Sequence, residues 1–182
     1  MVSLRVGIGI VVTALLASGA RAQPSTDSNA VQRRMDMLRR MDDARRQDSL
    51  AAVAPLEALR SASWFEAAQV GIAGQTPAIV RAWQSVARGR APAVVFASLL
   101  RSDSAAARLY ALAGLYSFDR RAFKRAAARE QSRTDSVMTL IGCAAAEEPV
   151  ATMVAEIATG SWSRDFRTGK LGSQYRSSCS HS

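Results

Sequence analysis

Histidine is almost absent from this 182-residue chain. The only one, His181, is the penultimate residue. A Ser-His-Asp or Cys-His catalytic arrangement would depend on a side chain at a fraying end, so neither is expected. Cysteine is nearly as scarce: Cys143 and Cys179 are the only two, and with His181 they lack zinc-ligand spacing. Lysine is confined to Lys124 and Lys170, so the positive charge is nearly all arginine. No stretch alternates apolar and polar residues convincingly, and β-branched runs are short. Without strands, a glycine loop of the phosphate-binding kind has nothing to follow. No apolar run reaches the ~20 residues of a bilayer span. No metal, nucleotide or hydrolase signature is found, so no cofactor and no catalytic residue are expected.

What is present begins with an uncharged run. Met1 to Arg5 is a short, singly positive start, Val6 to Ser18 is apolar, and Ala20-Arg21-Ala22 has the small-x-small form of a cleavage site. This reads as a signal peptide, residues 1–22, cleaved after Ala22, with the mature chain periplasmic or secreted. An uncleaved anchor is the alternative. No cysteine near the site invites a lipid, and no twin arginine precedes the run. Cleavage removes Arg5 and Arg21, lowers the formal charge from +9 to +7 and leaves 160 residues, enough for one domain with its own core. The sequence pI of 10.9 has two explanations of equal standing. One is the arginine and alanine bias of GC-rich coding, the other a selected anionic partner.

Residues 23–52 read as a polar arm holding a charged helix. Arg-Arg-Met-Asp occurs at Arg33–Asp36 and again at Arg39–Asp42, and Asp36 and Asp42 stand four residues before Arg40 and Arg46. Val31, Met35, Leu38 and Met41 form a short apolar stripe that would dock weakly. Acids nearly balance bases in this arm, which argues against nucleic acid.

Residues 53–160 read as a helical domain. Ser63 and Glu66 make a capping box before Trp64, Phe65, Ala68 and Ile72, with Gly74 as the stop. Pro77 starts a helix with Ile79, Val80, Trp83 and Val86 aligned, and Pro92 starts an uncharged one ending at Leu100. Ser102 or Asp103 caps a segment reaching Tyr116, and Asp119 caps the next. Thr134 or Asp135 caps a segment with Val137, Met138 and Ile141. Pro149 begins the last helix, where Val150, Met153, Val154 and Ile157 recur at helical spacing. The predicted fold class is therefore all-α, with six to eight short helices in an antiparallel helical-hairpin array. Residues 161–182 read as a tail whose Trp162, Phe166 and Tyr175 lie back on the domain.

The run from Pro92 to Asp119 has an apolar helix ending Leu99-Leu100, a turn Arg101-Ser102-Asp103-Ser104, and a helix containing Arg108. It resembles the helix–turn–helix unit of HEAT-like repeats, and Thr76 to Trp83 is a possible second echo. The whole chain is also similar to secreted bacterial helical proteins, which brings no activity with it. The HEAT-like resemblance implies a stacked helical surface used for binding protein partners.

Three sets of residues are candidates for a role. Cys143 and Cys179 form a possible disulfide in an exported chain, stapling the tail to a helix around Gly142-Cys143. The plain alternative is a small residue in an apolar helix and a loose thiol. Arg120, Arg121, Lys124, Arg125 and Arg129 occupy one half of the helix after Asp119, with Ala122, Phe123, Ala126 and Ala127 on the other. They are a candidate binding surface or an ordinary solvated face. Arg108 is the only charge in its helix, so a buried ion pair is expected, with Asp103, Asp119 or Glu156 as partner. An anion-binding arginine in a cleft is the other reading. Glu147-Glu148 before Pro149 reads as an acidic helix start. The functional expectation is an exported, non-enzymatic helical protein acting by contact with an unknown protein partner. The alternative is a peripheral binder of anionic polymer or lipid headgroups. Intracellular nucleic acid and a membrane-spanning mature chain are not expected.

Overall fold

The computed structural model describes residues 28–170. The chain divides into two units, residues 1–37 and 38–182, and the boundary falls inside the first helix, α1 (Ser28–Val53). In the first unit Gln32 Nε2 donates to Asp36 Oδ1 at 3.1 Å, an i,i+4 pair, and Val31 and Met35 are exposed. The expected signal peptide, Tyr175, Cys179 and His181 lie outside the described residues.

The second unit overturns the all-α expectation. Besides helices it holds a three-stranded mixed sheet in the order β1-β2-β3: β1 (Trp64–Val70), β2 (Ser136–Gly142) and β3 (Ala144–Pro149). β1 runs parallel to β2, with Trp64 opposite Met138 and Phe65 opposite Thr139; β2 and β3 form an antiparallel hairpin. Each strand replaces an expected helical feature. The supposed capping box Ser63–Glu66 is the entry to β1, the segment with Val137 and Met138 is β2, and Glu147-Glu148 belong to β3 rather than to a helix start.

The reason is tertiary. A register shift between Glu66 and Val70 accompanies the burial of both Ala67 and Ala68, so β1 loses the two-residue alternation that marks a strand. Its partner lies more than seventy residues downstream, beyond the reach of any local pattern. β3 is Ala-Ala-Ala-Glu-Glu-Pro, a helix-favouring composition held extended by β2. The hairpin turns on Gly142-Cys143, where Gly142 supplies a φ of 59°. Cys143 is thus a turn residue, not part of an apolar helix. It is the only cysteine of the described residues, so no disulfide lies within them.

Between β1 and β2 come α3 (Ala78–Ala87), α4 (Pro92–Leu99), α5 (Ala105–Phe118) and α6 (Arg120–Glu130), and α2 (Pro55–Arg60) precedes β1. After β3 come α7 (Val150–Ala158) and α8 (Ser161–Thr168). α5 is buried from Ala106 to Leu115 without a break, as its near-total lack of charge requires. It packs against α4, α6, α7, α8 and both β1 and β2. Ser104 caps it, accepting from the Ala107 N–H at 3.1 Å, in place of the expected Ser102 or Asp103. Asp119 caps α6 through the Ala122 N–H at 2.9 Å.

α8 arises from residues read as the start of the tail. Trp162 and Phe166 are buried, and the Phe65 ring of β1 packs at a tilt against Trp162 at 4.6 Å and Tyr110 at 4.8 Å between ring centroids. Aromatic pairs at this spacing add ~0.5–1.5 kcal/mol beyond area burial. Buried polar ends find partners: Trp83 Nε1 donates to the Tyr110 carbonyl at 3.1 Å, and the Glu66 N–H donates to the Tyr110 hydroxyl at 2.8 Å. The second bond ties β1 to α5.

Candidate functional site

Arg108 anchors the region where α4, α5, α6 and β2 meet. It is 3 % exposed, and each of its three guanidinium nitrogens donates a hydrogen bond. Nε donates to Glu130 Oε2 at 2.9 Å and Nη2 to Asp135 Oδ2 at 2.6 Å. Nη1 donates to the carbonyls of Ser102 at 3.2 Å and Asp103 at 2.9 Å. The partners expected from sequence differ: Asp103 contributes only its backbone, and neither Asp119 nor Glu156 takes part. Arg133 closes the network, with Nε 2.9 Å from Asp135 Oδ1 and 3.7 Å from Glu130 Oε2. The hydrogen bond from Arg133, and that from Arg108, hold the Asp135 carboxyl below the usual range against the opposing effect of burial. The Asp135 carbonyl also accepts from the Val150 N–H at 3.1 Å, tying the start of α7 to the same point.

The sequence does not single out Glu130 or Arg133, and it offers Asp135 only as a helix cap; the segment that follows is β2, and the Asp135 carboxylate meets Arg108 and Arg133 instead. One signal was present for Glu130: it is the only acid on the apolar side of α6, among Phe123, Ala126 and Ala127. A carboxylate there needs a buried cation, and Arg108 needed a carboxylate.

A groove of about 550 Å³ opens beside this network, between α4 and α6. Ala97, Leu100, Ala122 and Ala126 form its apolar lining; Arg101, Arg125, Arg129 and Arg133 supply the charge. The fifth charged residue lining it, Glu130, is already paired with Arg108. Net positive potential is therefore focused in a concave, partly apolar space. α6 explains the asymmetry. At about 100° per residue, Arg125 and Arg129 stand beside Ala122 on the edge facing the groove. Arg120 and Lys124 fall on the opposite edge, with Arg121 between. All five cations are exposed, and among the described residues none forms a salt bridge. Arg120 instead lies over the Tyr116 ring, 3.3 Å from its centroid.

A second titratable group lies on β1. Burial, and then the Asp48 carboxylate of α1, push Glu66 up to about 7. A folded-state value above the unfolded 4.5 means that the folded chain keeps a proton the unfolded chain releases. Stability should therefore fall as pH rises from 4.5 towards 7 and be flat above. Allowing for its partial contact with water, the loss is about 1–2 kcal/mol. Glu66→Gln should abolish that slope and be the more stable form at pH 8, as read by urea unfolding at several pH values. Parallel curves for the two proteins would contradict the assignment.

Among the described residues no three His, Cys, Asp or Glu side chains stand together as metal ligands, and no helix is long and apolar enough to cross a membrane. No protein-family model matches the chain, and neither does any curated protein or solved structure.

Proposed function

We propose that this chain is an exported, non-enzymatic binding protein that engages an acidic face of another protein through α6. The observation that carries the reading is the charge segregation of that helix. It presents five exposed cations on one side, none of them in a salt bridge among the described residues, while Phe123, Ala126, Ala127 and Glu130 on its other side are buried. Cations left without internal partners are available to carboxylates of another molecule. Reading the site as a binder and not an enzyme rests on its carboxylates: Glu130 and Asp135 are committed to Arg108 and Arg133 by ion pairs and hydrogen bonds, so neither is free to exchange a proton with a substrate.

The test is fluorescence anisotropy with a labelled oligoglutamate peptide and the full chain. Each exposed ionic contact contributes ~0.2–1 kcal/mol. Reversing two charges, Arg121→Glu with Arg125→Glu, should therefore weaken binding about tenfold or more. Unchanged affinity would overturn the reading. Co-sedimentation with phosphatidylglycerol vesicles in the absence of peptide binding would favour the lipid-headgroup alternative instead.

A further inference from the structure

We infer that the α4–α6 groove receives an acidic peptide segment bearing an apolar side chain, which seats between the helices while flanking carboxylates meet the arginines. The inference rests on the proposed acidic protein partner and names the part of it that is recognised. Three features select this occupant. The volume, about 550 Å³, lies within the ~300–1,000 Å³ of ligand pockets and exceeds what a single oxyanion fills. The lining is mixed, with Ala97, Leu100, Ala122 and Ala126 set among the cations, so an occupant must bring apolar surface as well as charge. Arg101 on the α4 side and Arg125 and Arg129 on α6 face the space from two walls, and guanidinium forks suit carboxylates.

Competing occupants fit less well. A polyanion such as heparin has charge but no apolar side chain for the lining. A bilayer surface is flat and could meet the exposed Arg120, Arg121 and Lys124 without placing anything in the groove. A helix or extended strand laid along the groove satisfies both requirements, in the manner of peptide-in-groove recognition. Arg133 gives the site a fixed end: its contact with Asp135 orders it before any ligand arrives.

The experiment uses the full chain and two labelled acidic peptides. They are identical except that one carries a leucine at its centre and the other a serine. Heparin and phosphatidylglycerol vesicles are further arms. The leucine peptide should bind about tenfold tighter than the serine peptide. Ala122→Phe, which fills the groove without altering charge, should remove that advantage. Arg101→Ser, an exposed change remote from the core, should weaken both peptides and serves should the phenylalanine variant fail to fold. Arg120→Ser with Lys124→Ser should leave the leucine preference intact. Equal affinity for the two peptides, or a leucine preference that survives Ala122→Phe, would overturn the groove. Two peptides that bind equally and are both weakened by the α6 substitutions would leave the broader acidic-partner reading standing. Binding of heparin or vesicles but of neither peptide would sink both.

Discussion

Arg108→Ala should lower the stability of the protein by about 3–5 kcal/mol, because it removes one partner of a buried ionic network and leaves the others behind. Glu130 would keep a buried carboxylate with only the longer 3.7 Å contact to Arg133, and the Ser102 and Asp103 carbonyls would lose a common donor. For a chain of this size the melting temperature should fall by roughly 10 °C. Arg108→Lys should not restore it. A single ammonium cannot span two carboxylates and two carbonyls that a planar fork reaches together. Glu130→Gln combined with Arg108→Met should cost less than the sum of the two, because the pair is removed together. Thermal unfolding followed by circular dichroism decides: an unchanged midpoint for Arg108→Ala would show that the network carries no structural weight.

Gly114→Ala should cost about 2 kcal/mol, although alanine favours a helix over glycine by about 1 kcal/mol. The reason is steric. A Cβ at position 114 would drive into the ring of Phe96, which is fully buried between Trp83 at 5.3 Å and Phe118 at 6.1 Å. The ring cannot swing away as a surface side chain would, so α4 and α5 must separate. Phe96→Leu in the same chain should recover part of the loss, giving a positive coupling in a double-mutant cycle. A Gly114→Ala variant as stable as the parent would mean that the α4–α5 contact is looser than the geometry shows. The prediction also bears on the groove, since α4 forms one of its walls.

These effects indicate which parts of the molecule its sequence declares. Helices with strong periodicity and a start signal are legible: Pro77, Pro92, Asp119 and Pro149 stand at the beginnings of α3, α4, α6 and α7. The uncharged run from Pro92 reads as the central helix, yet α4 leaves Val94 exposed, and the buried centre is α5, whose one charge is Arg108. The sheet is not legible, for reasons specific to each strand. Trp64–Val70 hides its alternation behind a register shift, and Ala144–Pro149 has the composition of a helix. Both are strands because of what they pair with, which local propensity does not register. The same limit applies at the site. A lone arginine in an apolar helix announces its own burial, and the segregated charges of α6 announce an exposed face. That Asp135 and Glu130 are the carboxylates meeting Arg108, and that Arg101 of the α4–α5 turn faces Arg125 and Arg129, depends on how distant segments pack.

The network and the groove are mechanically linked, since Glu130 and Arg133 belong to both. Arg108 thereby stabilises one end of the proposed binding surface without lining the groove, and conditions that loosen it should weaken peptide binding as well as folding. Asp135 is the titratable part of that link. Its carboxyl is held below the usual range, so its contribution is complete above the ordinary carboxylate range and is lost as pH falls below it. Glu66 acts in the opposite direction and near neutrality. The fold should therefore be most resistant in mildly acidic solution, where the Asp135 pair persists and Glu66 keeps its proton.

The most direct test of the groove as the binding site follows the arginine Nε–H resonances of the full chain while the leucine-bearing acidic peptide is added. Arg101, Arg125 and Arg129 should shift together and saturate at one peptide per chain, while Arg120 and the buried Arg108 stay in place. Shifts confined to Arg120 and Arg121, or none at all at saturating peptide, would contradict the account.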